Sequence, residues 1–357
     1  MKKISLAYFG SPVLSADFLE KLITDSSIKH LIKVDLVVTQ PDRKVGRKQI
    51  LTATPVKEIA IKNNINVAVG VASEETLREA DFRNDRKSLA EEKHHERQNL
   101  LRSIDLALIY FYGQIIPEEI LRLPKYGFWN IHFSALPKYR GPAPVVYSLI
   151  MGDQETAVTF IQTDAKLDHG DIIAQQPVKI KPTETKIKLE ERLHNVAYEM
   201  FIKLISGEKT GIKPFIQQNH SQATYARFPT KADGFIPLDV LKKALSGEKN
   251  IDFVPPIIKN FCQSNHVTML PCNHTTIFNL FRAFSPWPGI WTMVDVGKTV
   301  EPLRLRRIRQ LAETGKQRRL KITDMALTGN KLIIKSVQLE GKREVDFSTF
   351  NQAYTIF

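Results

Sequence analysis

The chain has 357 residues, 43% of them hydrophobic and 25% charged, ordinary values for a soluble globular protein with room for two domains. No apolar run approaches the roughly 20 residues that span a bilayer, and the two cysteines, Cys262 and Cys272, exclude a disulfide framework and make a reducing cytoplasm the default. A net charge of +13, from 51 basic and 38 acidic residues, points to a polyanionic partner, nucleic acid above all, or to a basic surface kept for solubility.

Ile4–Phe9 reads as a buried strand closed by Gly10-Ser-Pro12. The start superficially resembles a short signal peptide, but its apolar stretch of only about seven residues runs straight into Gly-Ser-Pro, which favours a first buried strand. A helix is predicted over 13–23, a second strand over 34–38 and a second helix over Pro55–Lys62. Further strands are predicted over 104–111 and 128–133. Such alternation implies a mainly parallel, Rossmann-like α/β sheet covered by helices, with ligands beyond the carboxyl ends of the strands. Residues 74–103 mix both signs of charge with few apolar positions and read as a solvated helix or helix pair. His94 and His95 beside Glu96 do not share a helical face, which argues against a metal there. Strands over 156–162 and 172–178 flank a loop containing Asp168. An amphipathic helix follows over 188–205 and ends at Gly207. Residues 208–237 lack periodicity and read as a linker between a catalytic domain, 1–207, and a C-terminal domain, 238–357. That last domain carries short strands at 291–296, 303–308, 331–337 and 345–347, which predicts a small OB-like β-barrel.

The most informative residues are Asn130-Ile-His132-Phe-Ser134-Ala135-Leu136-Pro137 and, 36 positions after His132, Asp168 in Leu167-Asp-His-Gly-Asp171. An amide can polarise a carbonyl, an imidazolium can stabilise an oxyanion, and a carboxylate can keep that imidazole charged and help remove a proton. That set suits acyl transfer to an amine. Each residue also has a bland role: Asn130 bonding backbone, His132 satisfied in a core, Asp168 capping its own turn. Ser134 lacks the Gly-x-Ser-x-Gly setting of a nucleophile.

These stretches resemble the signature of the 10-formyltetrahydrofolate-dependent formyltransferases. Phe9-Gly-Ser-Pro12, Thr39-Gln-Pro-Asp-Arg43, Tyr112-Gly113-Gln-Ile-Ile-Pro117 and Arg282-Ala-Phe-Ser-Pro-Trp-Pro288 narrow the resemblance to the branch that acts on methionyl-tRNA. The resemblance spans most of 1–236 and 276–357. It implies Asn130, His132 and Asp168 as catalytic residues. It implies folate contacts from the Ser134–Pro137 backbone, with Tyr112, Gly113 and Pro117 walling the pterin pocket. It implies a monomeric enzyme with initiator methionyl-tRNA as partner, no metal and no membrane.

The loop 42–48 packs four cations around one glycine. Arg43, Lys44, Arg47 and Lys48 there suit phosphate contacts, and Arg47 matches the arginine of a family loop that wedges into the tRNA acceptor end. Arg304 and Arg306 alternate on the predicted 303–309 strand, and 315–321 adds a second basic cluster. Three features depart from the family pattern: the charged 74–103 segment, an apparent insertion over 238–275, and Val145-Val146 where a glutamine is usual. The insertion holds Cys262, His266, Cys272 and His274, a donor set for tetrahedral zinc at an unfamiliar spacing. Two competing functions are formylation of an amino-sugar nucleotide, which has no use for the basic loop, and a catalytically silent RNA-binding protein.

Overall fold

The computed structural model describes residues 3–46, 48–70, 98–207, 215–269, 271–296, 317–329 and 331–357. Arg47, most of 74–103, the predicted strand 303–308 with Arg304 and Arg306, and the start of the 315–321 cluster lie outside them. The chain divides into two compact units, 1–141 with 157–178 and 191–223, and 142–156 with 179–190 and 224–357.

The first unit is built on a seven-stranded sheet. In chain order it begins β1 (Ile4–Phe9), α1 (Val13–Thr24) and β2 (Ile32–Thr39). A two-stranded ribbon, β3 (Arg43–Val45) and β4 (Ile50–Thr52), precedes α2 (Pro55–Lys62). Then come β5 (Asn66–Val69), β6 (Leu106–Ile109), the short α3 (Glu118–Leu121) and β7 (Phe128–His132). After α4 (Pro144–Ile150), which belongs to the second unit, follow β8 (Glu155–Gln162), β9 (Ile172–Lys179) and α5 (Lys186–Ser206). The sheet order is β5-β2-β1-β6-β7-β8-β9. Pairing is parallel from β5 through β7 and antiparallel between β7 and β8. The central β6, Leu-Ala-Leu-Ile, is apolar along its length and buried but for its last residue, as suits a strand covered on both faces.

Alternation along β1 sends Ala7 and Phe9 to one face, with Leu36, Val38, Ala107, Tyr112 and Phe128. Tyr8 faces the other side, where Phe18 of α1 stacks with it at 6.4 Å and meets Tyr110 at 4.9 Å and Phe201 of α5 at 6.1 Å. Phe18 is fully buried, so its ring alone contributes about 1.5–3 kcal/mol of burial. Pro55 opens α2, and Thr54 caps it by accepting a bond from the Lys57 N–H at 3.1 Å.

In the second unit, Tyr147 of α4 packs on Phe261 at 4.8 Å. The unit continues with α6 (Leu238–Leu245), α7 (Pro256–Asn265) and α8 (His274–Phe284), whose start carries an Asn273/Thr276 capping box. An antiparallel sheet follows in the order β10 (Ile290–Asp295), β11 (Gln317–Thr328), β12 (Lys331–Leu339), β13 (Glu344–Asp346), with α9 (Phe347–Tyr354) closing the chain. Gly234 lies so close to Gly289 that an added Cβ would sit 2.0 Å from its carbonyl oxygen.

The parallel sheet and the C-terminal antiparallel sheet agree with the α/β and small β-barrel reading. The apparent insertion 238–275 forms α6, α7 and the start of α8, burying Val240, Leu241, Ile257, Ile258 and Phe261. Of the region read as a linker, 215–223 belongs to the first unit, where Ile216 exchanges both backbone bonds with Ile172, at 2.8 and 2.9 Å.

Candidate active site

The strands β1, β6 and β7 are in register at their carboxyl ends, Phe9 with Ile109 and Ile109 with Asn130. The Ser11, Tyr112 and Ser134 segments therefore emerge side by side. Asn130 and His132 are two apart on β7 and share one face of it. Asp168 comes from the loop between β8 and β9. Its backbone is left-handed, φ +47°, a conformation that Asp tolerates better than most residues. Gly170 is needed two positions on, since a Cβ there would lie 1.7 Å from the Gln162 carbonyl oxygen.

The three predicted catalytic residues meet. The Asn130 Nδ2 donates to Asp168 Oδ1 at 3.1 Å. His132 Nδ1 lies 3.6 Å from Asp168 Oδ2, with the two side chains only 6% and 8% exposed. That distance suits an ion pair with protonated His132 and is too long for a direct hydrogen bond. The Gly141 N–H donates to Asp168 Oδ2 at 2.7 Å and fixes the carboxylate. His132 Nε2 lies 2.9 Å from the Tyr139 carbonyl oxygen. A carbonyl only accepts, so Nε2 carries a proton that is already committed. Nδ1 is thus the one imidazole nitrogen left to face a reacting group.

A second layer holds the Asp168 loop. Gln218 Nε2 donates to the Asp168 carbonyl at 3.0 Å and to the Gly170 carbonyl at 2.6 Å. Its Oε1 accepts from Arg140 Nε and Nη2, at 3.2 and 2.7 Å. Arg140 Nη2 also donates to His220 Nδ1 at 2.8 Å, and the His220 ring stacks on His169 at 3.9 Å. Desolvation, then the nearby His169, Arg140 and Lys166, hold the His220 imidazole below its ordinary range. Sequence reasoning missed the Tyr139 carbonyl, the Gly141 N–H and Gln218. The first two are backbone groups beside the quoted motif, and Gln218 stands in a stretch with no periodic signal.

Residues 134–138 form a tight, braced turn. Ser134 Oγ donates to the Lys138 carbonyl at 2.5 Å, and Thr159 Oγ1 donates to the Ser134 carbonyl at 2.6 Å. Gln175 Nε2 holds the Leu136 carbonyl at 3.1 Å. Leu136 is buried, Ala135 exposed and Pro137 half-buried. The Tyr112 ring is buried edge-on against Phe9 at 5.5 Å, so only its backbone is available to wall a ligand. Gly113, φ +75°, is exposed, and Pro117 is half-buried.

Arg43, Lys44 and Lys48 are exposed on the β3–β4 ribbon, together with Val45, Ile50 and Leu51. A small ribbon with both faces in water and three bare apolar side chains suits a partner. Cys262 and Cys272 are both free and buried. Cys262 Sγ reaches the Thr268 carbonyl at 3.9 Å, and burial pushes the Cys272 thiol up to about 11. Among the described residues no group of three or more His, Cys, Asp or Glu is placed to hold a metal, so the zinc set is not assembled. No described helix is long and apolar enough to cross a membrane.

Residues 2–205 match the formyl transferase family, and residues 271–355 match the formyl transferase C-terminal domain. The chain is 30% identical to a methionyl-tRNA formyltransferase of Caldicellulosiruptor saccharolyticus, over 99% of this chain and 98% of the relative. It is 30% identical to the enzyme of the same name from Acidobacterium capsulatum, over 99% and 97%. A solved N-formyltransferase from Helicobacter canadensis, in complex with folinic acid and dTDP-3-aminofucose, shares the fold with a TM-score of 0.50 and 16% identity, over 96% of this chain and 98% of that one. The chain belongs to the formyltransferase family, among the methionyl-tRNA formyltransferases.

Proposed function

We propose that this enzyme moves the formyl group of 10-formyltetrahydrofolate onto the free α-amine of methionine esterified to initiator tRNA, the step that readies it for translation initiation. The observation that carries this reading is the meeting of Asn130, His132 and Asp168 in a chain that aligns with methionyl-tRNA formyltransferases over nearly its full length. The folate co-substrate supplies an activated formyl carbon. Asn130 Nδ2 and the protonated His132 Nδ1 donate to the formyl oxygen as negative charge develops there. One such donor is worth about 3 kcal/mol in the transition state. Asp168 keeps His132 charged and takes the amine proton through water, a contribution of roughly 10²–10⁴ in rate. The new C–N bond forms to the methionine nitrogen, the bond to folate N10 breaks, and N10 leaves with a proton. Hydrogen-bond donors and one base suffice, so the chemistry draws on no metal.

The braced 134–138 turn offers a rigid backbone edge to the folate, and Gly113 and Pro117 flank it from the neighbouring strand end. Arg43, Lys44 and Lys48 of the ribbon, with Arg47, meet the acceptor end of the tRNA. Arg304, Arg306 and the 315–321 cluster supply further phosphate contacts, which position rather than specify. The folate-contact and tRNA-contact assignments follow the family resemblance. A protein amine acceptor would not need a basic ribbon, and neither would a sugar nucleotide. We take the enzyme to act as a monomer in the cytoplasm, where its two unpaired cysteines fit a reducing medium.

The test is incubation with methionyl-tRNA and 10-formyltetrahydrofolate, followed by mass analysis of the released amino acid. N-formylmethionine is expected. Unmodified methionine, with formylation of an amino-sugar nucleotide in a parallel reaction, would overturn the proposal.

A further inference from the structure

We infer that Gln218, from the segment that follows α5, is a positioning residue for the catalytic carboxylate of Asp168. The inference rests on the reading of Asp168 as catalytic. Gln218 is 3% exposed, and its amide is used at both ends. The Nε2 group donates to the Asp168 and Gly170 carbonyls, and Oε1 accepts from two nitrogens of Arg140. Arg140, 1% exposed, anchors the amide from the chain just past the 134–138 turn. One side chain thus ties the backbone of the Asp168 loop to the backbone that supplies Tyr139 and Gly141.

Those two tied segments supply the backbone groups that orient the acid and the imidazole, alongside the Asn130 amide on Asp168 Oδ1. Asp168 Oδ2 is fixed by the Gly141 N–H, and His132 Nε2 by the Tyr139 carbonyl. Asp168 itself sits at φ +47°, a backbone state that L residues leave unless their surroundings hold them. The Gln218 amide holds that loop through the Asp168 and Gly170 carbonyls. Only an amide of this length can donate to two carbonyls and accept from a guanidinium at once. A glutamate there keeps the bond to Arg140, as an ion pair, and loses both donations to the loop.

That difference gives a test that a merely structural role would not pass. The full chain is assayed with methionyl-tRNA and 10-formyltetrahydrofolate as wild type, Gln218→Glu, Asp168→Asn and the double variant, with thermal unfolding recorded for each. Gln218→Glu is expected to lower kcat roughly 10–100-fold, as a misplaced catalytic group does, while both KM values stay within about twofold. In the Asp168→Asn background it is expected to cost nothing further, because its effect runs through that carboxylate. If Gln218→Glu does not fold, Gln218→Met, which is neutral and of similar length, replaces it in the same cycle. A kcat within about twofold of wild type overturns the inference, and so does a loss that multiplies with that of Asp168→Asn. A fully active Asp168→Asn sinks the catalytic reading, and the inference with it. An impaired Asp168→Asn beside a fully active Gln218→Glu sinks the inference alone.

Discussion

At His132 the decisive fact is the direction of one proton. Its Nε2–H is spent on the Tyr139 carbonyl, so the ring meets chemistry only through Nδ1, on the Asp168 side. Removing the Asn130 or His132 side chain is therefore expected to lower kcat about 10²–10³-fold, the scale of a lost oxyanion donor, with the KM for tRNA little changed; steady-state formylation kinetics of N130A and H132A measure both. His194 makes a separate prediction. Burial between Phe18 and Tyr110 lowers its imidazole from 6.5 to about 4, and Lys21 adds to the effect. The unfolded chain takes up a proton near 6.5 that the folded chain refuses until about 4. Stability from this group is full above 6.5 and falls as pH drops through that window. Denaturant midpoints at pH 7 and pH 5 should separate more for wild type than for His194→Gln. That Asn130, His132 and Asp168 meet was legible because their residue types and motif suit the proposed chemistry. The groups that aim them were not, since a carbonyl and an N–H exist at every position and leave no trace in a sequence.

The β3–β4 ribbon is the element whose composition and structure disagree most usefully. The residues of its two strands are all exposed, and two three-residue strands bury nothing that would hold them. The strands went unpredicted because basic residues at 43, 44 and 48 read as loop. Hydrogen bonds at its base make up for this. Thr39 Oγ1 lies 2.6 Å from Thr54 Oγ1, and Gln40 Nε2 donates to the Tyr112 carbonyl at 2.6 Å. Both roots of the ribbon are thus tied to the sheet's carboxyl edge. Replacing Arg43 and Lys44 by Glu should raise the KM for tRNA at least about tenfold and leave the KM for the folate donor unchanged, since like charge against phosphate repels. Folate KM rising in step would argue for a misfolded edge instead. Other elements were readable in the sequence: β1, α2 and most of α5 fall where the sequence puts them. The helices α6 and α7, each entered through a proline, went unread inside the apparent insertion.

Over the whole molecule, the net charge of +13 makes salt the simplest probe of tRNA recognition. Each phosphate contact adds about 0.7–0.9 to the slope of log affinity against log salt. Neutralising Arg43, Lys44 and Lys48 together should reduce that slope by about 2–3 if all three meet phosphates; binding titrations over a salt series report it directly. The division into units was the least legible feature. Residues 142–156 and 179–190 group with the C-terminal part, and Arg282 of α8 reaches back to the Lys181 and Glu184 carbonyls at 3.3 and 3.4 Å. No local composition announces such a long-range pairing. The two sequestered thiols have a practical consequence. With Cys262 and Cys272 buried, and each thiol raised by its surroundings, neither forms the reactive thiolate readily. Gln49→Cys at the tip of the ribbon should therefore accept one maleimide dye per molecule, counted by intact mass, without removal of the native pair. The enzyme comes ready for single-fluorophore reporting of tRNA arrival, and it should shrug off mild oxidants that disable proteins with open sulfhydryls.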